Sequence, residues 1–303
     1  MNQTKKKNPL KRLLSMRGMG QVVTVTIGLI VLLVAFALIN PNFWSPTNRT
    51  NLLRQIAPIL IIGIAQSYVL ITGNIDLSIG SVVGMSTMVA ATLMSKGIMS
   101  PIPALLVTLL CCLLIGVLNG LLVAKFKLPP FIATLGTMTV ARGIAQLVNG
   151  NYNTDSIMKF YPEAAQTFKN VFYYGKTLGL YNGIWIAIIL WIVFNFLLSK
   201  TRTGRYIYAT GSNIDAARLS GVNVVSTTVI AYVVSAFCSF VVGIITCATV
   251  GQGTMDAGNS YEMYAVAASV IGGVSTLGGQ GILLGTVVGA AIWGTLQNGL
   301  QFA

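Results

Sequence analysis

Seven stretches without one charged side chain govern what this chain can fold into: Gly18 to Asn48, Gln55 to Ile75, Leu77 to Ser95, Gly97 to Ala124, Thr177 to Ser199, Leu219 to Met255 and Met263 to Ala303. Each is close to or longer than the ~20 apolar residues a helix needs to cross a hydrocarbon core. Lipid offers the backbone no hydrogen-bond partner, so runs of this kind become helices. The expected fold class is all-α, a polytopic helical membrane protein of about nine to ten transmembrane helices. Spans are predicted over 20–40, 56–72, 77–95, 103–124, 131–148, 183–199, 225–250, 263–277 and 281–300. A basic N-terminus, 1–19, precedes a single transmembrane domain, 20–303, with an outer loop at 149–182 and a polar island at 200–224.

The chain carries 19 Lys+Arg against 6 Asp+Glu. In a soluble protein that balance points to nucleic acid, whereas between apolar spans it reports topology, and no nucleic-acid partner is expected. There is no histidine, which removes the usual proton shuttle and the commonest metal ligand. Cys111, Cys112, Cys238 and Cys247 sit inside apolar runs without metal-ligand spacing, and are predicted to be small buried hydrophobes. No catalytic residues, metal or cofactor are expected. The N-terminus resembles a signal peptide, but its apolar run exceeds the roughly 7 to 15 residues of a cleaved core, which favours an uncleaved first span.

With an inside start, twelve cations fall inside: the six before Gly18, then Lys125, Lys127, Lys200, Arg202, Arg205 and Arg218. Six fall outside: Arg49, Arg54, Lys96, Lys159, Lys169 and Lys176. This asymmetry places the N-terminus and the island in the cytoplasm. The chain stops at Gln301-Phe302-Ala303 without a polar tail. Either a final helix is missing or one short span is re-entrant.

Gly80/Gly84, Gly116/Gly120 and Gly281/Gly285/Gly289 recur at four-residue spacing, which lets helices approach closely in lipid. The similarity of Gly80-Ser-Val-Val-Gly84 to Gly285-Thr-Val-Val-Gly289 is too short to establish a repeat. Gln66, Asn119 and Asn149 are expected to hydrogen-bond between helices. In the outer loop, Tyr173, Tyr174 and Tyr181 read as an interfacial belt, and residues 152–168 as a docking platform.

The most cationic island, Lys200 to Val225, contains a short helix cassette. Ser212 or Asn213 can cap it, Asp215 takes the acidic position of a capping box behind Ser212, and Gly221 can end it. Ala216, Ala217 and Arg218 form its body, with a shallow face and a charged anchor. Two turns are not stable alone, so the helix lies either in a groove on a partner protein or on the lipid headgroups.

Gly211-Ser-Asn-Ile-Asp-Ala-Ala-Arg-Leu-Ser-Gly-Val222 resembles the coupling motif of the ribose-type permeases of ATP-binding cassette sugar importers. Phe43-Trp-Ser-Pro-Thr-Asn48, Ile71-Thr-Gly-Asn-Ile-Asp-Leu-Ser-Ile-Gly-Ser81, Leu128-Pro-Pro-Phe-Ile-Ala-Thr-Leu-Gly-Thr137 and Val270-Ile-Gly-Gly-Val-Ser-Thr-Leu-Gly-Gly-Gln-Gly281 are similar to the same family. The resemblance implies a permease subunit in a bacterial plasma membrane that imports a monosaccharide such as ribose, xylose or galactose. Its implied partners are a cytoplasmic ATPase, an extracytoplasmic solute-binding protein, a second identical or different permease chain, and membrane lipid. Ser212 to Gly221 would contact the ATPase, which alone would hydrolyse ATP; this chain has no phosphate-binding loop. Members of the family continue through a further helix, in keeping with a missing last span here.

Asn74, Asp76 and Ser78 are then candidates for a translocation path, with Asn119 and Arg142. The alternative for Asp76 is capping of the third span. Arg142, inside the fifth span, would cost on the order of 3 kcal/mol if exposed to lipid, so it should face protein, a cavity or the interface. The competing function is an ion-coupled secondary transporter or channel built on Asp76 and Arg142; a membrane enzyme lacks its clustered catalytic groups.

Overall fold

The computed structural model describes residues 19–302, so the basic segment 1–18 lies outside the described residues. A helix occupies each predicted span: α1 Met19–Ile39, α2 Pro46–Ile71, α3 Ile79–Ser95, α4 Pro101–Ala124, α5 Pro130–Leu147, α7 Asn182–Lys200, α10 Val224–Val250, α11 Tyr261–Ile271 and α12 Leu283–Gly299. Shorter helices intervene: α6 Pro162–Lys169, α8 Arg202–Ser212 and α9 Ile214–Leu219.

Local chemistry sets the ends. Proline occupies the first turn of α2, α4 and α5, where its missing N–H is no loss. The second span begins ten residues before its predicted start at 56, because Ser45 caps it, its Oγ accepting from Asn48 N at 3.3 Å. The extra turns are polar and escaped an apolar window. Gly251, at φ +77°, ends α10. The eighth predicted span, 263–277, stops at Ile271, where Gly272 and Gly273 break it.

Among the described residues, only α1, α2, α4, α7 and α10 are both long and apolar enough to cross a membrane by themselves. Helices α3 and α11 are short because they start partway down. Asp76, just before α3, is bonded to Ser235, about 16 Å along α10 from Val224. Further along, Thr87 of α3 donates to the Gly243 carbonyl at 2.9 Å, so α3 runs beside α10 from mid-depth to the face carrying residues 149–181, the loop face. A Cβ on Gly80, in the first turn of α3, would overlap the Gly258 carbonyl and the Glu262 carboxylate at the start of α11. The N-termini of two partial helices therefore abut at mid-depth, and α11 runs from there to the opposite, island face.

Helix α10 packs among α2, α3 and α4, while α2 also meets α7, α11 and α12, and α1 lies against α12. Exposed apolar stripes, such as Ile102, Leu106, Leu110 and Leu114 on α4, face outward at i, i+4 spacing. Since lipid is as apolar as leucine, close approach rather than burial decides which helices pair. Gly116 and Gly120 bring α4 against Ala236 and Val229 of α10, and Gly285 and Gly289 bring α12 against Gly272 and Ala268. The Gly80/Gly84 pair instead receives the 257–258 loop and Arg142, because α3 pairs there with irregular chain.

A Cβ on Gly116 would stand 2.8 Å from the Tyr232 carbonyl and 2.7 Å from Ala236 Cβ, whereas one on Gly28 of α1 meets nothing within 4 Å. Gly116→Val is therefore expected to lose about 1–3 kcal/mol to overpacking, while Gly28→Ala gains up to about 1 kcal/mol of helix propensity. Thermal unfolding of the purified chain in detergent checks both signs.

Candidate functional site

The break before α3, residues 72–78, is held by side chains. Tyr232 Oη donates to the Ile75 carbonyl at 3.0 Å, and one turn along α10 Ser235 Oγ donates to Asp76 Oδ2 at 2.7 Å. Asp76 Oδ1 accepts from Ser78 N at 2.9 Å and from Ser78 Oγ at 2.6 Å. The expected capping of the third span is thus replaced: Ser78 is the N-cap residue, and Asp76 receives one amide two residues ahead rather than the amides of the following turn. Asn119 Nδ2 donates to Ser78 Oγ at 2.9 Å, and Thr137 Oγ1 donates to Asn119 Oδ1 at 2.6 Å. One chain of hydrogen bonds joins α10, the break, α4 and α5. Its five members, Asp76, Ser78, Asn119, Thr137 and Ser235, are all buried.

Of the candidate path residues, Asp76, Ser78 and Asn119 therefore come together. Arg142 does not join them. Its Nη1 donates to the Met255 and Ala257 carbonyls, at 3.0 Å each, so it faces protein and secures the irregular 251–260 segment that leads down to α11. Asn74 lines a cavity of about 350 Å³ on the island face with Lys127, Thr210 and Arg218, which pairs it with a residue of the island. Ser235, Thr137 and Tyr232 were not singled out in the sequence. A serine or threonine in an apolar span has a bland role far more often than a special one.

The island holds two helices where one was expected, because Thr201 caps an earlier start, its Oγ1 accepting from Gly204 N at 3.3 Å. Ser212 closes α8, its Oγ donating to the Tyr208 carbonyl at 2.8 Å. Asn213 is the cap of α9, its Oδ1 accepting from Ala216 N at 2.9 Å. That places Asp215 one residue short of the capping-box position. Gly221, at φ +81°, follows the helix in the left-handed region, and its N–H donates to the Arg218 carbonyl at 3.0 Å. Ala217 is buried against the protein itself, while Asp215, Ala216, Arg218 and Leu219 are exposed, Leu219 at 90%.

The end of α2, the break after α11 and helix α8 are joined on this face. Gly279 N donates to the Ile71 carbonyl at 2.9 Å, and Tyr208 Oη donates to the Gly281 carbonyl at 2.6 Å. A Cβ on Gly211 would overlap the Ile71 carbonyl, and one on Gly278 would stand 2.8 Å from both the Gly211 carbonyl and Gly73 Cα. Three backbone segments, 71–73, 211–212 and 278–279, thus meet closely, backbone to backbone at Gly211 and Gly278 and with the Ser212 hydroxyl against Gly279.

On the loop face, Thr154 N donates to the Gly253 carbonyl and Ile157 N to the Gly251 carbonyl, both at 3.0 Å, tying the long loop to the end of α10. Lys159 Nζ bonds Asp155 at 2.6 Å and holds that exposed carboxyl below the usual carboxylate range. Tyr173 and Tyr181 do not form a lipid-facing belt: the Arg54 guanidinium carbon lies 4.7 Å and 3.4 Å from their ring centroids, a cation-π arrangement the sequence could not register. Asn149 ties its own loop through the Tyr152 and Asn153 carbonyls. Gln66, expected to bridge helices, is fully buried with neither side-chain polar atom bonded.

Two partial helices meeting end to end at mid-depth, inside a helical membrane domain with a polar platform on one face, are the architecture of a membrane transport protein. The chain belongs to the family described as branched-chain amino acid transport system / permease component, which matches residues 48–303. It is 40% identical to the ribose import permease protein of Haemophilus influenzae, over 91% of this chain and 84% of that one. It is 36% identical to the ribose import permease protein of Bacillus subtilis, over 91% of this chain and 83% of that one. It is also 33% identical to the galactose/methyl galactoside import permease protein of Escherichia coli, over 90% of this chain and 85% of that one. No solved structure matches at a significant level.

The buried network makes a quantitative prediction. Asp76→Ala and Ser235→Ala are each expected to destabilise the protein by about 1–3 kcal/mol, since each strands a buried polar partner. The double variant should cost less than the sum by about 0.5–3 kcal/mol. A double-mutant cycle by thermal unfolding in detergent measures the difference, and strict additivity would dissolve the link.

Proposed function

We propose that this chain is the permease subunit of an importer for a monosaccharide, worked by an ATPase that docks on the island face and fed by a solute-binding protein on the loop face. The observation that carries this reading is the similarity, over nine-tenths of the chain, to permeases named for ribose and galactose import. The island face is then cytoplasmic, in keeping with the distribution of Lys and Arg. Two copies of the chain, or this chain and a relative, complete the membrane domain, with the exposed helix faces meeting lipid or the second chain.

In this reading the exposed side of α9, with Asp215, Ala216 and Arg218, is the ATPase contact, flanked by Ser212, Asn213 and Gly221, while Ala217 is turned inward as the anchor. The glycine junction gives the contact a mechanical consequence. A push on α9 reaches α8, and through Gly211 the end of α2 and the break that carries Asp76. Asp76, Ser78 and Asn119 act as a lock across that break, and Asn74 faces the cavity it opens towards. Arg142 holds the second break from the other side. Residues 152–168 offer the binding protein its platform.

The test is uptake of labelled ribose or galactose into vesicles bearing the chain with its ATPase and binding protein. ATP-dependent uptake is expected, and uptake by the isolated chain under an ion gradient would favour an ion-coupled transporter instead. Within that assay Asp215→Lys and Arg218→Glu should each lower uptake at least tenfold, with the chain still present in the membrane at wild-type level. Unchanged uptake together with unchanged co-purification of the ATPase would remove the coupling role.

A further inference from the structure

We propose that the loop-face cavity between α2, α10, α11 and α12 is a station for a neutral, polyhydroxylated ring solute on its way through the protein. This deepens the monosaccharide reading above and rests on it. The cavity, of about 240 Å³, is lined by Arg54, Gln55 and Pro58 of α2, Tyr261 and Tyr264 of α11, and Gln297 of α12, with further walls from α10.

Three features of the wall select the ligand chemistry. The first is unspent hydrogen bonding. Arg54 and Gln55 line the cavity, with Gln55 Oε1 and Arg54 Nε just behind its surface and without a partner, so that a turn of either side chain would bring them to a solute, and Pro58 has no N–H to give the Arg54 carbonyl four residues back. Buried polar atoms left in this state are costly unless something completes them. Hydroxyl groups, which both donate and accept, complete an amide oxygen, a guanidinium N–H and a carbonyl alike. The second feature is the pair of rings Tyr261 and Tyr264 on the wall, with centroids 5.6 Å apart, backed by Trp293 behind the wall at 5.5 Å from Tyr264. Flat apolar faces beside a few convergent polar groups suit a small ring solute. The third is charge. Arg54 is held by the ring faces of Tyr181 and Tyr173, and the cavity wall carries no carboxylate, so a cation is disfavoured, and the neutrality of the solute comes from the monosaccharide reading.

Below the cavity α2 carries a second glutamine. Gln66 follows Gln55 by eleven residues, which brings it to the same face of α2 about 16 Å deeper. It is fully buried, and both of its polar side-chain atoms lack a partner. Two glutamines therefore mark one line down α2, the upper at the cavity and the lower beyond it towards the island face.

The test uses the assembled importer in vesicles, with initial uptake of ribose, allose and galactose measured for the wild type and for Gln55→Leu, Gln66→Leu and Gln297→Leu. Each variant is expected to lower uptake at least tenfold or to shift the ratio between sugars at least fivefold, with Gln55→Asn restoring part of the loss. Wild-type uptake of sugar with all three variants unchanged in rate and ratio overturns the station and leaves the monosaccharide reading standing. No wild-type uptake of any sugar, with uptake of an amino acid or a sugar phosphate instead, overturns both. Should the leucine variants fail to assemble, Gln297→Cys replaces them. A membrane-impermeant thiol reagent is expected to modify it from the loop face and to be slowed by monosaccharide, and modification that sugar leaves unchanged overturns the station.

Discussion

Irregular backbone inside a membrane domain survives only where protein groups satisfy its carbonyls and amides. In this chain Tyr232 and Arg142 meet that requirement from opposite sides. Tyr232 takes the Ile75 carbonyl in the break before α3, and Arg142 takes the Met255 and Ala257 carbonyls in the descent to α11. Because both breaks are held, α3 and α11 can start at mid-depth with their N-termini facing each other. Everything that distinguishes this protein from a plain bundle of spanning helices follows from that placement.

Glycine supplies the second requirement, which is contact between backbones. Gly211 meets the Ile71 carbonyl, and Gly278 meets Gly73 and Gly211, with no side chain intervening. Side chains hop between rotamers, while a backbone-to-backbone junction transmits displacement directly. The island helices α8 and α9 are thus joined to the same break that the Asp76 network crosses. The exposed, charged side of α9 and the buried Asp76 network lie at the two ends of one continuous set of contacts.

Much of the architecture was legible beforehand because charge-free length is a strong signal. The spans were placed within a few residues at most ends, and the interhelical roles of Gly116, Gly120, Gly285, Gly289 and Asn119 followed from spacing and residue type. Where the structure departs from the sequence pattern, the departures have a common cause. The start of α2 and the second island helix are decided by single hydrogen bonds from Ser45 and Thr201; at α9 the choice between the two caps open in the sequence, Ser212 and Asn213, falls to Asn213 and so takes Asp215 out of the capping-box position. Tyr173 and Tyr181 read as interfacial in the sequence because nothing in it tells that Arg54, more than a hundred residues earlier, lies against them.

Sequence alone determined that this chain is an all-helical membrane domain, which residues span, and which polar cluster is set apart between spans. Hydrophobic length and charge are properties of segments, and they survive without knowledge of partners. The tertiary structure decided which of the rare polar residues share a network, that Arg142 is an anchor away from Asp76, and that α3 and α11 begin at mid-depth. Those outcomes depend on which backbone carbonyls were left without a partner once the helices had packed, and that is a relation between distant segments that no segment encodes by itself.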